Sequence, residues 1–287
     1  MPRFMRFGVA LLLTSCFIHA GSAQETTRAV SLQYLAFDSD TNYTGMADIL
    51  AEDMVFSDPT GDVFNGPVSK GPVHGAKAVL QVMRGWGLGE VRFEPDVSFF
   101  VGEYALHRGT YNVRYAAAPT WYQIPFVTIH RVRDGKMIER TDFGEYIESF
   151  GLGTTFDSNT RSTQEIAQRY LQAYLDADLS TQEKLMADAV QFQDPTSQVF
   201  GPPSGQLFDS ESSLLARREQ VFANVSDFSF AIESTFAANH HAVYQGEITY
   251  KAGGRSYVQP AVFVIEVRNG LVIRHWDYVD YTVGPTD

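Results

Sequence analysis

Cysteine is almost missing from this chain. Cys16 is the only one in 287 residues, which excludes a disulfide framework and any cysteine-built metal site, so stability has to come from packing. Basic residues are also scarce, with 22 Lys and Arg against 34 Asp and Glu. That balance argues against nucleic acid or an anionic membrane surface as partner. No phosphate loop, dinucleotide fingerprint or nucleophile elbow occurs, and no cofactor is expected. The seven histidines have no spacing diagnostic of a metal site, and adjacent His240 and His241 would point to opposite faces of a strand. No metal is expected either. The apolar run from Phe7 to Ile18 is too short to span a bilayer.

That run follows Arg3 and Arg6 and precedes the small residues Gly21-Ser22-Ala23, the layout of a secretory signal over residues 1–23 that leaves Gln24 as the mature N-terminus. Leu13-Thr14-Ser15-Cys16 also fits the box before a lipid-modified cysteine. A secreted or periplasmic soluble protein and a lipid anchor through Cys16 therefore both stay open. Removal of Arg3 and Arg6 leaves 20 basic residues against 34 acidic ones, a net charge of −14. What the chain has in quantity is apolar: 44 % hydrophobic and 13 % aromatic residues, enough for packed cores or for apolar ligand pockets.

The length suits two domains of roughly 100–200 residues each, and an internal repeat divides the chain that way. Asp58-Pro59-Thr60-Gly61-Asp62-Val63-Phe64 returns as Asp194-Pro195-Thr196-Ser197-Gln198-Val199-Phe200, at an offset of 136. Tyr122 and Pro125 match Tyr257 and Pro260, and Val132-Arg133-Asp134-Gly135 matches Val267-Arg268-Asn269-Gly270. Ile138, Asp142 and Tyr146 then match Ile273, Asp277 and Tyr281, with order kept and the offset held between 135 and 137. The expected domains are 27–150 and 161–287, joined by a linker at 151–160 rich in Gly and polar residues.

Each half is helical first and strand-rich later. In the second, Ile166, Tyr170, Leu171 and Tyr174 recur at helical spacing, with Ser162 and Glu165 placed as a capping box. A further helix is expected near 182–188, then a strand ending at the Asp-Pro, then a helix over 212–223. Alternating segments follow from Phe228, and Asp134-Gly135 and Asn269-Gly270 are hairpin signals. The fold class is α+β: two tandem cone-like domains, each a strongly curved antiparallel sheet packed with three N-terminal helices.

Gln168-Arg169-Tyr170, Ala177-Asp178-Leu179, Ala187-Asp188-Ala189-Val190 and Asp194-Pro195 resemble the opening of bacterial ketosteroid isomerases. Trp276-Asp277-Tyr278-Val279-Asp280 resembles the last strand of limonene-epoxide-hydrolase-like proteins. Nearly the whole mature chain thus resembles the nuclear-transport-factor-2-like superfamily, which also holds the SnoaL-like proteins. The resemblance implies a small-molecule ligand in each cone, pairing of the two copies through the outer faces of their sheets as an intrachain pseudo-dimer, and either cofactor-free isomerase, lyase or hydrolase chemistry or binding without turnover.

It also implies site residues. Asp58 and Asp194 stand at the proton-shuttling position, where desolvation raises a carboxyl pKa and makes a usable base; the other reading of Asp-Pro is a turn or cap. Tyr34 and Tyr170 match the phenol that polarises a carbonyl, or else pack the inner helix face. Asp142 and Asp277 match the last-strand acid that activates water, or close the cone as ion pairs. Alternation puts Arg140 on one strand face with Asp142, and His275 with Asp277; Arg140 is expected to lower the pKa of Asp142. Two departures limit the match. No acid stands near 127–129 or 262–264, where the isomerases keep a second oxyanion donor. The hydrolases' Arg-x-Asp appears as Arg108-Gly109-Thr110 and Gln245-Gly246-Glu247.

Overall fold

The computed structural model describes residues 8–64, 66–200 and 204–286. Most of the expected signal segment lies outside what it describes, namely residues 1–7 and the side chains of 8–22, Cys16 among them. No helix among the described residues is long and apolar enough to cross a membrane.

The two halves repeat one order of elements. The first runs α1 (Gly8–Ser39), α2 (Tyr43–Ile49), β1 (Leu50–Ser57), β2 (Val73–His74), α3 (Ala76–Gly85), β3 (Leu88–Val101), β4 (Tyr104–Tyr115), β5 (Trp121–Arg133), β6 (Lys136–Gly144) and the short α4 (Tyr146–Ser149). The second runs α5 (Gly153–Leu175), α6 (Leu179–Leu185), β7 (Met186–Gln193), α7 (Glu211–Phe222), β8 (Val225–Ala238), β9 (His241–Ala252), β10 (Arg255–Arg268) and β11 (Leu271–Val279). Helix α5 reaches back to Gly153, so most of the stretch expected as a linker is helical. The capping box at Ser162 and Glu165 does not start it, because the chain is already helical there. Helix α6 ends at Leu185, short of the expected 188, and the chain enters β7 at once.

The sheets have strand orders β2-β1-β6-β5-β4-β3 and β7-β11-β10-β9-β8. All neighbours are antiparallel except β1 with β6 and β7 with β11, which are parallel. Each sheet is therefore a meander closed on one side by the strand that follows the second helix. Asp134-Gly135 and Asn269-Gly270 turn β5 into β6 and β10 into β11, and all four residues have positive φ, between 51° and 79°, as a type I′ turn requires. Bulges at Pro95/Val97 and Ile232/Ser234 bend the long outer strands. Opposite them stand Gly109 and Gly246, where a Cβ would overlap the carbonyl oxygens of Glu94 and Ala231. Only glycine lets the two backbones come that close.

The helices cover the concave face of each sheet and form separate cores, one around Tyr34, Met46, Phe56 and Val79, the other around Tyr170, Leu214, Phe263 and Ile265. A further cluster draws on both sheets, uniting Phe99, Leu106, Val127 and Phe143 with Phe236, Val243, Val262 and Val264. Polar contacts flank it: Arg108 Nη1 donates to Glu233 Oε2 at 2.7 Å and Asn239 Nδ2 to Asp62 Oδ2 at 2.8 Å. Phe143→Ala should cost about 3–5 kcal/mol, read as a lower urea midpoint. A cost below about 1 kcal/mol would mean that this contact between the sheets does not form in solution.

Candidate functional site

Each Asp-Pro-Thr begins a 3₁₀ turn at the rim of a cavity. Asp58 Oδ1 accepts from the Gly61 amide at 2.9 Å and from Thr60 Oγ1 at 3.0 Å, and its Oδ2 accepts from the Tyr146 phenol at 2.7 Å. Asp194 repeats the arrangement with the Ser197 amide, Thr196 and Tyr281. The threonines tie the turn to the end of the sheet: Thr60 Oγ1 accepts from Gly144 N at 2.8 Å and Thr196 Oγ1 from Val279 N at 2.9 Å. The cap expected as the alternative reading is therefore present, and both aspartates also line a cavity. Asp58 lines a cavity of about 670 Å³ walled mainly by apolar side chains such as Val82, Trp86, Val113 and Ile124. Asp194 lines one of about 580 Å³ in the second domain. Burial, reinforced by the nearby charge of Asp142 or Asp277, pushes both carboxyls up to about 7.

Tyr34 and Tyr170 are not in either cavity wall. Both are fully buried beneath it, and the phenols that meet the two aspartates are Tyr146 and Tyr281. Tyr34 and Tyr170 sit on the inner faces of α1 and α5 and do not line the cavities, whereas Tyr146 and Tyr281, just past the last strands, do. Tyr34 instead accepts from Arg140 Nη1 at 2.6 Å. Arg140, 1 % exposed, also grips Asp142 with two contacts, Nε to Oδ1 at 2.8 Å and Nη2 to Oδ2 at 2.7 Å, with Asp38 at 3.6 Å. Arg140 and Asp142 thus share a face, as alternation required. The expected lowering of the Asp142 pKa is corrected: burial raises that carboxyl, and the opposing pull of Arg140 does not cancel it.

A single chain of hydrogen bonds leads from Asp142 through the first domain to its surface. Thr128 Oγ1 donates to Asp142 Oδ1 at 2.6 Å; beyond it come His130 Nε2 at 3.1 Å, Ser31 Oγ 2.7 Å from His130 Nδ1, His107 Nε2 2.7 Å from Ser31, and Ser98 Oγ 2.8 Å from His107 Nδ1. Asp142, already facing the guanidinium through both oxygens, can only accept. Each hydroxyl has one proton, so every donor in the chain points toward Asp142 and both imidazoles carry their proton on Nε2. Burial holds His107 down to about 4 and His130 well below the ordinary range, so both rings are neutral.

The second domain meets the same need with different residues. His275 occupies the place of Arg140, its Nε2 lying 2.6 Å from Asp277 Oδ1, although the contact lacks hydrogen-bond alignment. Tyr174 donates to Asp277 Oδ2 at 3.2 Å. The guanidinium now comes from α7. Arg218 Nη2 donates to Tyr170 Oη at 2.6 Å and lies 3.2 Å from His275 Nδ1, while Nη1 contacts Gln182. The helix N-caps Gly75 and Ser210, 135 residues apart, make Met83 the counterpart of Arg218. The Tyr34 phenol donates to Met83 Sδ at 3.4 Å, where that of Tyr170 accepts from Arg218. Arg218 Nη2 can only donate to His275 Nδ1, which puts the ring proton on Nε2, toward Asp277. Asp277, Tyr174 and Arg218 line the second cavity, whereas Asp142 and Arg140 do not line the first.

In the sequence Tyr146 and Tyr281 stand out only as repeat matches and Tyr174 only as a helix-face residue, and nothing there marks Asp38 or Thr128. Arg218 had one signal: it stands four residues after buried Leu214 on one face of α7. Among the described residues no cluster of three or more His, Cys, Asp or Glu could hold a metal ion.

The SnoaL-like domain family matches the chain twice, at residues 32–140 and 167–275. The protein belongs to that family, as two tandem copies. A SnoaL-like polyketide cyclase candidate from Shewanella denitrificans OS-217 aligns at 20 % identity over 42 % of this chain and 92 % of its own, with a TM-score of 0.38. An LEH-like epoxide hydrolase from M. tuberculosis aligns at 14 % over 43 % and 86 %, TM-score 0.37. A protein of ketosteroid-isomerase-like fold from Catenulispora acidiphila DSM 44928, solved with trimethylamine, aligns at 13 % over 42 % and 88 %, TM-score 0.37. Among curated proteins no match was found.

Two outcomes follow. Nitrogen NMR should find His107, His130 and His275 as Nε2–H tautomers at pH 7; an Nδ1–H form of His130 would break the chain from Thr128 to Ser98. Stability should also depend on Asp58. Its folded pKa lies above the unfolded value near 3.8, so the folded state holds the proton more tightly, and stability falls as pH rises from about 4 to 7, by about 1.4 kcal/mol per unit. Asp194 contributes an equal slope, so Asp58→Asn should remove about half of the total in urea titrations, and an unchanged slope would count against the raised pKa.

Proposed function

We propose that the protein is an exported, cofactor-free acid/base enzyme, an isomerase, lyase or hydrolase acting on a small apolar or polyketide-like molecule. The observation that carries this is an aspartate in the wall of each apolar cavity with its carboxyl pushed to about 7. A carboxyl balanced near neutrality supplies both the base and the acid of a proton shuttle. In this reading Asp58 and Asp194 take and return the proton, with Tyr146 and Tyr281 orienting them. Asp142 and Asp277 set the local field, with Arg140 and His275 as their partners. Tyr34 and Tyr170 position those groups from below and do not touch the substrate. The cluster shared by the two sheets supports an intrachain pseudo-dimer, in which each copy stiffens the other's cone. The signal segment supports release to the periplasm or the medium, with the lipid anchor at Cys16 as the other processing route.

One observation favours a binding protein instead. Asp58 Oδ1 already caps a turn and Oδ2 already meets a phenol, as in a residue kept for structure. The two readings part on Asp58→Asn and Asp194→Asn, made singly and together. Native mass spectrometry of the purified protein identifies a bound molecule. If the protein is an enzyme, turnover of that molecule should fall about 10²-fold or more in the variants, while affinity stays within a few-fold. Unchanged turnover in the double variant would sink the assignment of the base. Binding without turnover in the parent makes the cones carriers.

A further inference from the structure

The two cavities treat their buried guanidinium groups in opposite ways. Arg140 in the first domain is fully committed: two contacts go to the carboxylate of Asp142, one to Tyr34, and Asp38 stands close by. Arg218 in the second is 2 % exposed and faces Gln182, Tyr170 and His275, none of them an anion. Its Nε–H has no acceptor, and no ion pair to it forms among the described residues. The faces of Tyr170, Tyr174 and Phe192 surround the group at 4.5 to 5.3 Å, which attracts a cation but leaves its N–H groups unsatisfied. A buried cation without a counter-ion, and with a donor unmet, is costly. The structure around Arg218 is incomplete by one anion, and Arg218 forms part of the wall of the 580 Å³ cavity.

We infer that the second cavity takes an organic carboxylate, whose anionic oxygen is received by Arg218 while its apolar body lies against Phe208, Phe228, Ile248 and Phe263, and that the first cavity takes a neutral ligand. The acids in the same wall do not oppose this. Asp277 Oδ2 accepts from Tyr174 while Oδ1 lies 2.6 Å from His275 Nε2 without hydrogen-bond alignment, and Asp194 accepts from Thr196, the Ser197 amide and Tyr281. Met83, the counterpart of Arg218, gives the first domain no cation to offer a ligand, and the Arg140 that compensates for it is closed off by Asp142 and Asp38. This rests on the cavities being ligand sites, as proposed above, and adds that their ligands differ in charge.

A matched pair of probes tests it, 4-phenylbutyrate and its neutral amide, titrated calorimetrically into the full chain at pH 7.5. The carboxylate should bind about 10- to 100-fold more tightly than the amide, the range of a hydrogen bond to a charged group. Arg218→Met, which copies the first domain, should bring the two within about threefold of each other. Arg218→Lys keeps the charge but not the Nε–H, and should retain only part of the preference; it also serves if the Met variant fails to fold. Ala78→Trp, which fills the first cavity, should leave carboxylate binding unchanged. Equal affinities for the two probes in the parent, or a preference that survives both Arg218 variants or disappears in Ala78→Trp, would overturn the inference while leaving the cavities as ligand sites. If neither probe binds the parent or either domain's variant, the reading of the cones as ligand pockets falls with it.

Discussion

Each domain keeps a buried guanidinium at the base of its cone, and the surrounding structure is arranged to make that tolerable. Removing such a cation from water costs several kcal/mol unless hydrogen bonds and opposite charge replace the lost hydration. In both domains the tyrosine of the long first helix accepts from the cation, at 2.6 Å each time. The aromatic face of the first core strand, Phe56 or Phe192, lies against it at 5.5 or 5.3 Å. The contact thereby ties helix to sheet at the base of the cone, where a purely apolar core would let the helix slide. The source of the cation is free to change. In one copy it comes from the last strand, in the other from the third helix, and the positions vacated hold methionine and histidine.

Above this layer sits the capped turn. The Asp-Pro-Thr sequence does several jobs within three residues: proline starts the 3₁₀ turn, aspartate caps it, and threonine accepts from the last strand and so fixes the turn against the sheet. The aspartate is therefore held in place by its own neighbours, independently of any ligand. A carboxyl so held, in an apolar wall and close to a second acid, cannot lower its pKa by turning toward water. Geometry that looks merely structural is thus what produces a group near neutrality.

Much of this was legible in the sequence, and the limits have physical reasons. The repeat gave the two domains, the hairpins at Asp134-Gly135 and Asn269-Gly270, and the pairing of Asp58 with Asp194, because turns and caps demand particular residues at particular places. Alternation placed Arg140 beside Asp142 and His275 beside Asp277. The parallel pairing of β1 with β6 and β7 with β11 was hidden, since nothing local in a strand records which neighbour it will meet. The segment 153–160 looked like a linker because its composition is polar, yet α5 runs through it; a helix end needs only backbone continuity when a packed segment follows. Tyr34 and Tyr170 were assigned to the ligand by resemblance, and the vertical position that removes them from it is a property of the packed cone.

Arg218 shows what a repeat comparison hides. Sequence self-similarity emphasises what two copies share, while the chemistry that separates them lies in compensated differences: Met83 against Arg218, Arg140 against His275, Asp38 against Tyr174, Thr128 against Phe263. None of these pairs means anything alone. Together they move the cation across the cavity floor, away from the last-strand acid that Arg140 grips in the first domain, replace the second nearby acid, Asp38, by a phenol, remove the threonine that linked Asp142 to His130, and bring Asp277 into the cavity wall. A chain that carries two copies can keep one arrangement closed, with Arg140 and Asp142 out of the cavity wall, and leave the other, with Arg218 and Asp277, open to it.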